Sequence, residues 1–192
     1  MITDEFVNDN NLKMIELKPM FHAVDFKDLD KKFKSMLTEF SPIGKSVTIK
    51  EYFGEGIGIA TALKYFANNG ILEEGKDFQG IYVFSKEKTP FYVGISQHVI
   101  ERITQHVKGK NHFSSSFCYR LGANVFKQKH GYSHEGGRKG LPFGEYVEPT
   151  KKQLIDCQVA FYKVEDSLEL YLFEVYVAMK FGTLYYNSFK TS

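Results

Sequence analysis

Five side chains of this sequence have the chemistry to move a proton beside a growing negative charge: Tyr82, Tyr92, Arg102, His106 and Glu174. A phenol ionises near pH 10, so a tyrosine acting as a base needs cationic neighbours to stabilise phenolate; Arg102, Lys86 or a metal ion would serve. Histidine titrates near neutrality, which makes His106 the rival base or a proton relay, and the residues alone do not rank it against Tyr82. The planar fork of Arg102 can hold two oxygens of an anionic centre and stays charged at any relevant pH. Glu174 has Leu170, Tyr171, Val177 and Ala178 as helical neighbours, whereas Glu169 has Glu165 and Asp166 and belongs on the wet side. A carboxylate on an apolar face needs a partner, either a metal ion or a salt bridge to Arg102 or Arg120. Taken singly, each residue has a plainer account: core tyrosines with satisfied hydroxyls, an arginine on the surface of an amphipathic helix.

The elements that must position them can be read from periodicity. GIYVF and PFYVG alternate as strands around the turn-prone SKEKTP, so residues 80–94 form a β-hairpin with Tyr82 and Tyr92 facing one pocket. Ser96 is placed to cap a helix from about residue 97 to 107, with Val99, Ile100, Ile103 and Val107 inward and Arg102 and His106 sharing a face. A second helix is expected over about 114–129, a glycine-rich loop over HGYSHEGGRKGLPFGEYVEP, a strand over 154–164 and a helix from Ser167 to about Phe181. Before the hairpin, helical spacing appears at Asp28 to Phe40 and in two short helices near 48–53 and 57–68, a cadence like a winged helix-turn-helix. The second of these carries only Lys64 as a basic residue and has Ala60, Leu63 and Ala67 for an apolar face, so a structural layer is expected rather than a groove reader. SPIGKS ends like a phosphate-binding loop, but Glu39 stands where that motif needs glycine.

GIY at 80–82, YVG at 92–94, Arg102 and His106, then Glu174 and Asn187 in EVYVAMKFGTLYYN, follow one another in an order that resembles the GIY-YIG nuclease family. The likeness covers roughly residues 79–189. It departs in YVG for YIG and in the long glycine-rich insert near 131–147; His112 and the SSSF after it are similar to the phage homing branch. The resemblance implies an α/β (α+β) domain at 79–192, a small antiparallel three-stranded sheet flanked by helices, behind a helical region at 1–78. It implies hydrolysis of a DNA phosphodiester by water, leaving 5′-phosphate and 3′-hydroxyl ends, with one Mg2+ (or Mn2+) held by Glu174. Arg102 would then stabilise the transition state, Tyr82 would position or deprotonate the water, and Tyr92 would bind phosphate or water. Asn187 would pin the terminal segment onto the site. A homodimer is expected if both strands are cut.

Charge distribution agrees with an anionic partner. Residues 102–152 hold ten Lys and Arg against three acids, a local balance of +7, while residues 1–79 hold ten against thirteen, or −3. A DNA surface is therefore expected to draw on Lys86, Lys108, Lys110, His112, Arg120, Lys127, Lys129, Arg138 and Lys139. Cys118 and Cys157 have no zinc spacing, and His112, His130 and His134 with Cys118 lack a second cysteine pair, so a reduced, cytoplasmic setting is expected without a zinc site. No apolar run is long enough to span a membrane, and MITDEFVNDN is acidic, unlike a signal peptide. Two rival readings remain: a DNA-binding protein that kept the fold without the activity, and a regulator whose N-terminal helices read DNA.

Overall fold

The computed structural model describes residues 25–73, 75–183, 186, 187 and 189. The chain divides into two compact units, Met1–Lys32 and Phe33–Ser192. Helix α1 (Phe26–Phe40) begins in the first and buries Phe33, Met36 and Phe40 in the second. There follow β1 (Val47–Thr48), α2 (Ile49–Phe53), α3 (Ile59–Asn68), the hairpin β2 (Gly80–Lys86) and β3 (Thr89–Ser96), α4 (Val99–Lys108), α5 (Ser116–His130), α6 (Glu148–Leu154), β4 (Gln158–Lys163) and α7 (Ser167–Phe181).

The architecture is α+β, with an antiparallel sheet in the order β1-β4-β2-β3. Four strands rather than the expected three make this sheet, because Val47 and Thr48 pair with Val159 and Gln158 and extend it beyond β4. The segment before the hairpin also shares its core: Ile49, Phe53, Ala62 and Phe66 lie in one apolar cluster with Phe78, Tyr82 and Phe84. On α3 the buried residues are Ala62 and Phe66, while Ala60 is exposed, so the apolar face is turned from the one expected.

The hairpin closes through Glu87 and Lys88, both at positive φ (50° and 66°), a two-residue turn whose twist suits antiparallel strands. The register then slips between Phe84 and Ser85, which pair with Tyr92 and Pro90, so Phe91 is the extra residue of a β-bulge. Neighbouring strand residues normally point to opposite faces; the bulge lets both Phe91 and Tyr92 meet the ring of Phe117 on α5, at 6.0 and 4.3 Å between centroids.

Helix α4 starts at Val99, and its first amides are held by a distant carboxylate: Asp77 Oδ1 accepts from Ile100 N and Oδ2 from Glu101 N, both at 2.9 Å. Ser96, the expected cap, instead accepts from His98 N at 3.0 Å. The expected long loop is partly helical, with a 3-10 turn at Gly137–Gly140, a π turn at Phe143–Val147 and then α6, so the following strand begins at Gln158 rather than 154. At Gly122 of α5 a β-carbon would stand 2.5 Å from Tyr146 O, so glycine there allows the π turn to lie against the helix. Helix α7 is capped by Asp166, whose Oδ1 accepts from Glu169 N at 2.7 Å, and ends at Gly182 with φ 66°. No helix among the described residues is long and apolar enough to cross a membrane.

Candidate active site

Tyr82, from the central strand β2, points toward α4 and hydrogen-bonds through its hydroxyl to His106 Nε2 at 2.8 Å. Its ring lies over Gly94, directly across in β3: a β-carbon there would be 2.4 Å from the Tyr82 oxygen. The glycine of YVG is thus the space the GIY tyrosine occupies. Tyr82 is 1% exposed and His106 0%, so water is removed from both. Burial pushes the Tyr82 phenol well above its ordinary value, with the Tyr92 charge raising it further and Arg102 opposing. Burial, then Arg102 and Arg120, hold His106 well below the usual imidazole range. The pair is a neutral phenol against a neutral imidazole, and His106 Nδ1 is buried without a partner.

Tyr92 shares the face, its ring 6.1 Å from that of Tyr82. The Arg120 guanidinium lies 5.4 Å from the Tyr92 ring centroid, in the range of a cation–π contact. Burial raises the Tyr92 phenol, and Arg120 is the largest opposing influence. Arg102 is held by Nη1 donating to Gln105 Oε1 (3.1 Å) and Ser114 O (3.3 Å) and by Nη2 donating to Ser116 Oγ (2.5 Å). Those bonds fix one guanidinium plane beside the Tyr82–His106 pair before any ligand arrives.

Glu174 comes from α7, half-buried. Burial pushes its carboxyl up to about 7, with Arg120 as the opposing influence. It makes no salt bridge or hydrogen bond to any described residue, so neither expected arginine partner closes on it. Arg120 Nε is likewise buried and unpartnered. Two arginines therefore flank the tyrosines while Glu174 has no partner among the described residues, an arrangement suited to an anion and a cation from outside. Glu169, expected in water, is half-buried one turn earlier.

Asn187 clamps β3 with both ends of its amide: Nδ2 donates to Val93 O at 2.6 Å and Oδ1 accepts from Val93 N at 3.1 Å. Strand β3 is a sheet edge, and the clamp satisfies main-chain groups that no further strand pairs.

The residues expected to meet DNA are placed less uniformly. Lys108 Nζ donates to Ile57 O, and His112 Nε2 lies 2.7 Å from Leu141 O, so both already tie loops together. Lys129 pairs with Glu145 at 3.3 Å, and Arg138 stacks over Phe113 and Tyr119 at 5.5 and 5.2 Å. Lys86, Lys110, Lys127 and Lys139 are exposed. Arg120, expected on that outer surface, instead joins the tyrosines; its spacing on α5, three residues after Phe117, is the signal that an arginine follows the aromatic wall inward. His112, His130, His134 and Cys118 do not come together, and no cluster of three metal-binding side chains occurs among the described residues. Compared with known proteins, the chain matches no family model, no curated protein and no solved structure.

Proposed function

We propose that this chain is a metal-dependent endonuclease of the GIY-YIG type, hydrolysing DNA phosphodiesters with water as nucleophile. The observation that carries the reading is the convergence of Tyr82, His106, Tyr92, Arg102, Arg120 and an unpaired Glu174 on one side of the β2–β3 hairpin. Five of those positions are the ones the family resemblance singles out, and they come from β2, β3, α4 and α7.

Glu174 fits a divalent cation: a half-buried carboxylate raised to about 7 by burial gains most from a cation that arrives with its own waters. Such an ion, Mg2+ or Mn2+, would supply positive charge at the phosphate oxygens when bound. The protein's residues do the rest. Arg102 and Arg120 attract the phosphate and stabilise the charge that grows on its oxygens. The Tyr82 hydroxyl is buried in the free protein, so the step requires substrate binding to bring the attacking water to it. That water then passes a proton to the Tyr82 oxygen as the Tyr82 proton moves to His106 Nε2, along the 2.8 Å contact. In the free protein both arginines oppose an imidazolium at His106. A bound phosphate offsets their charge, so proton acceptance becomes easier when substrate is present. Protonation of the leaving oxygen then follows from imidazolium or solvent.

Two buried free cysteines suit a reducing compartment such as the cytoplasm. A restriction-like or stand-alone nuclease, dimeric where it cuts both strands, fits this reading. A second reading, a DNA-binding protein that kept the fold alone, is favoured by the near-complete burial of Tyr82 and His106. Incubating purified protein with supercoiled plasmid and Mg2+ separates them. Nicked or linear product, lost in Glu174→Ala while DNA binding persists, supports the nuclease. Binding without cleavage under Mg2+ and Mn2+ supports the second reading.

A further inference from the structure

A cavity of about 460 Å³ opens between the hairpin tip, α5, α6 and Tyr186. Nothing in the proposed chemistry uses it. Its floor is aromatic and aliphatic: Phe91, brought there by the β-bulge, with Phe117 and Leu121, while the Tyr186 ring meets Phe91 edge-on at 6.2 Å. Its rim carries amides. Asn124 and Gln128 are four apart on α5 and so share a face, and Gln153 comes from α6. None of the three side-chain amides has a hydrogen-bond partner among the described residues. Lys86 stands at the mouth, exposed.

Apolar flat walls with free amides above them suit a planar, polar-edged ring. Amides pair with the donor and acceptor edges of nucleobases, and aromatic rings stack on their faces. The cavity is also next to the candidate active site, because Phe117 is at once its wall and the closest aromatic neighbour of Tyr92, at 4.3 Å. A nucleotide whose phosphate reached Arg120 and Tyr92 would have its own or an adjacent base within reach of this cavity, with Lys86 near a flanking phosphate.

We infer that the cavity receives a nucleobase extruded from the DNA beside the phosphate that is cut, an inference that rests on the nuclease reading. Extrusion costs pairing and stacking energy, least for a base already mispaired. Binding should therefore favour a duplex with one central mismatch over its matched counterpart, by at least about tenfold.

Fluorescence anisotropy of the two labelled duplexes in EDTA measures this apart from cleavage. Leu121→Trp, which fills the cavity, should abolish the mismatch gain and leave affinity for matched duplex within about twofold. Asn124→Ala with Gln128→Ala, both at exposed positions and safe for folding, should reduce the gain as well. Equal affinity of wild type for the two duplexes overturns the inference, as does a gain that persists in both variants. Thermal stabilisation by AMP, GMP, CMP or TMP without a mismatch gain assigns the cavity to free nucleotides and overturns it too. If neither duplex binds, the nuclease reading falls with it; plasmid cleavage without a mismatch gain removes this inference alone.

Discussion

Glu174→Gln tests the electrostatic core of the site without any need for substrate. The Glu174 carboxyl is held at about 7 against an ordinary 4.5, mainly by burial. Below pH 4.5 it is protonated in folded and unfolded chains alike, and no penalty exists. Between 4.5 and about 7 the folded chain keeps a proton that the unfolded chain has lost, so stability falls as pH rises. Above about 7 the full cost of an ionised, poorly solvated carboxylate is present. The raised value corresponds to at most about 3 kcal/mol, and solvent screening of a half-buried group brings the expectation nearer 2 kcal/mol.

Glutamine keeps the shape and removes the charge, so wild type and Glu174→Gln should unfold alike at pH 4.5, and the variant should be the more stable at pH 8. For a chain of this length the gap corresponds to about 4–8 °C in Tm. Mg2+ should reverse the order at pH 8: at about a hundred times its dissociation constant it stabilises wild type by about 2.7 kcal/mol, more than the gap, and the variant by nothing. Thermal melts at the two pH values, with and without Mg2+, give all four comparisons. Parallel pH dependence in the two proteins would mean that Glu174 titrates normally, and the reason for assigning it a cation would be gone.

Other substitutions probe the neighbouring groups. Arg102→Lys should lose on the order of 10²-fold in cleavage rate, close to Arg102→Ala, because a point charge cannot replace the fork; near-native turnover would reduce Arg102 to a mere charge. Arg120→Gln removes the group that holds the Glu174 carboxyl down, so the loss of stability with rising pH should still begin near 4.5 but continue above about 7 and become larger in the same melts. Tyr82→Phe leaves both nitrogens of the buried His106 ring unpartnered and should cost about 1–3 kcal/mol as well as cleavage; an active Tyr82→Phe protein removes that residue from the proton path. Neutralising Lys127, Lys129, Arg138 and Lys139 together should lower the salt dependence of DNA binding by about 0.9 log unit per lost phosphate contact, and an unchanged slope would move the DNA elsewhere.

Much of the helical framework was legible because its signals are local. Helix α7 runs over the expected Ser167–Phe181, and all four residues expected on the inner side of α4 are buried. What escaped is non-local. The Asp77 cap on α4 stands more than twenty residues before the amides it binds, and a two-residue strand such as β1 has no periodicity to read. Helix α6 was hidden by Pro149 and by the glycines before it, which read as loop although proline is well tolerated in a first helical turn.

The residues gathered at the candidate site were legible in part, Arg120 having been expected on the outer surface, and their geometry was not. Alternation and helical spacing bring Tyr82, Tyr92, Arg102 and His106 together, but they cannot say that Gly94 supplies the space for the Tyr82 ring. That dependence is itself testable. A β-carbon at residue 94 would stand 2.4 Å from the Tyr82 hydroxyl oxygen and from Cζ, far inside van der Waals contact. Because Tyr82 lies in a strand buried from Gly80 to Ser85 and is bonded to His106, its ring has little room to retreat. Gly94→Ala should therefore cost about 1–3 kcal/mol and also pull the hydroxyl away from His106 Nε2. Gly144→Ala, where an added β-carbon meets nothing within 4 Å, is the control and should melt as wild type does. Comparing melts and plasmid cleavage for the two variants separates packing from proton transfer. A Gly94→Ala protein with wild-type stability and cleavage would show that the ring can move freely, and the held phenol–imidazole pair would no longer explain why glycine sits opposite Tyr82.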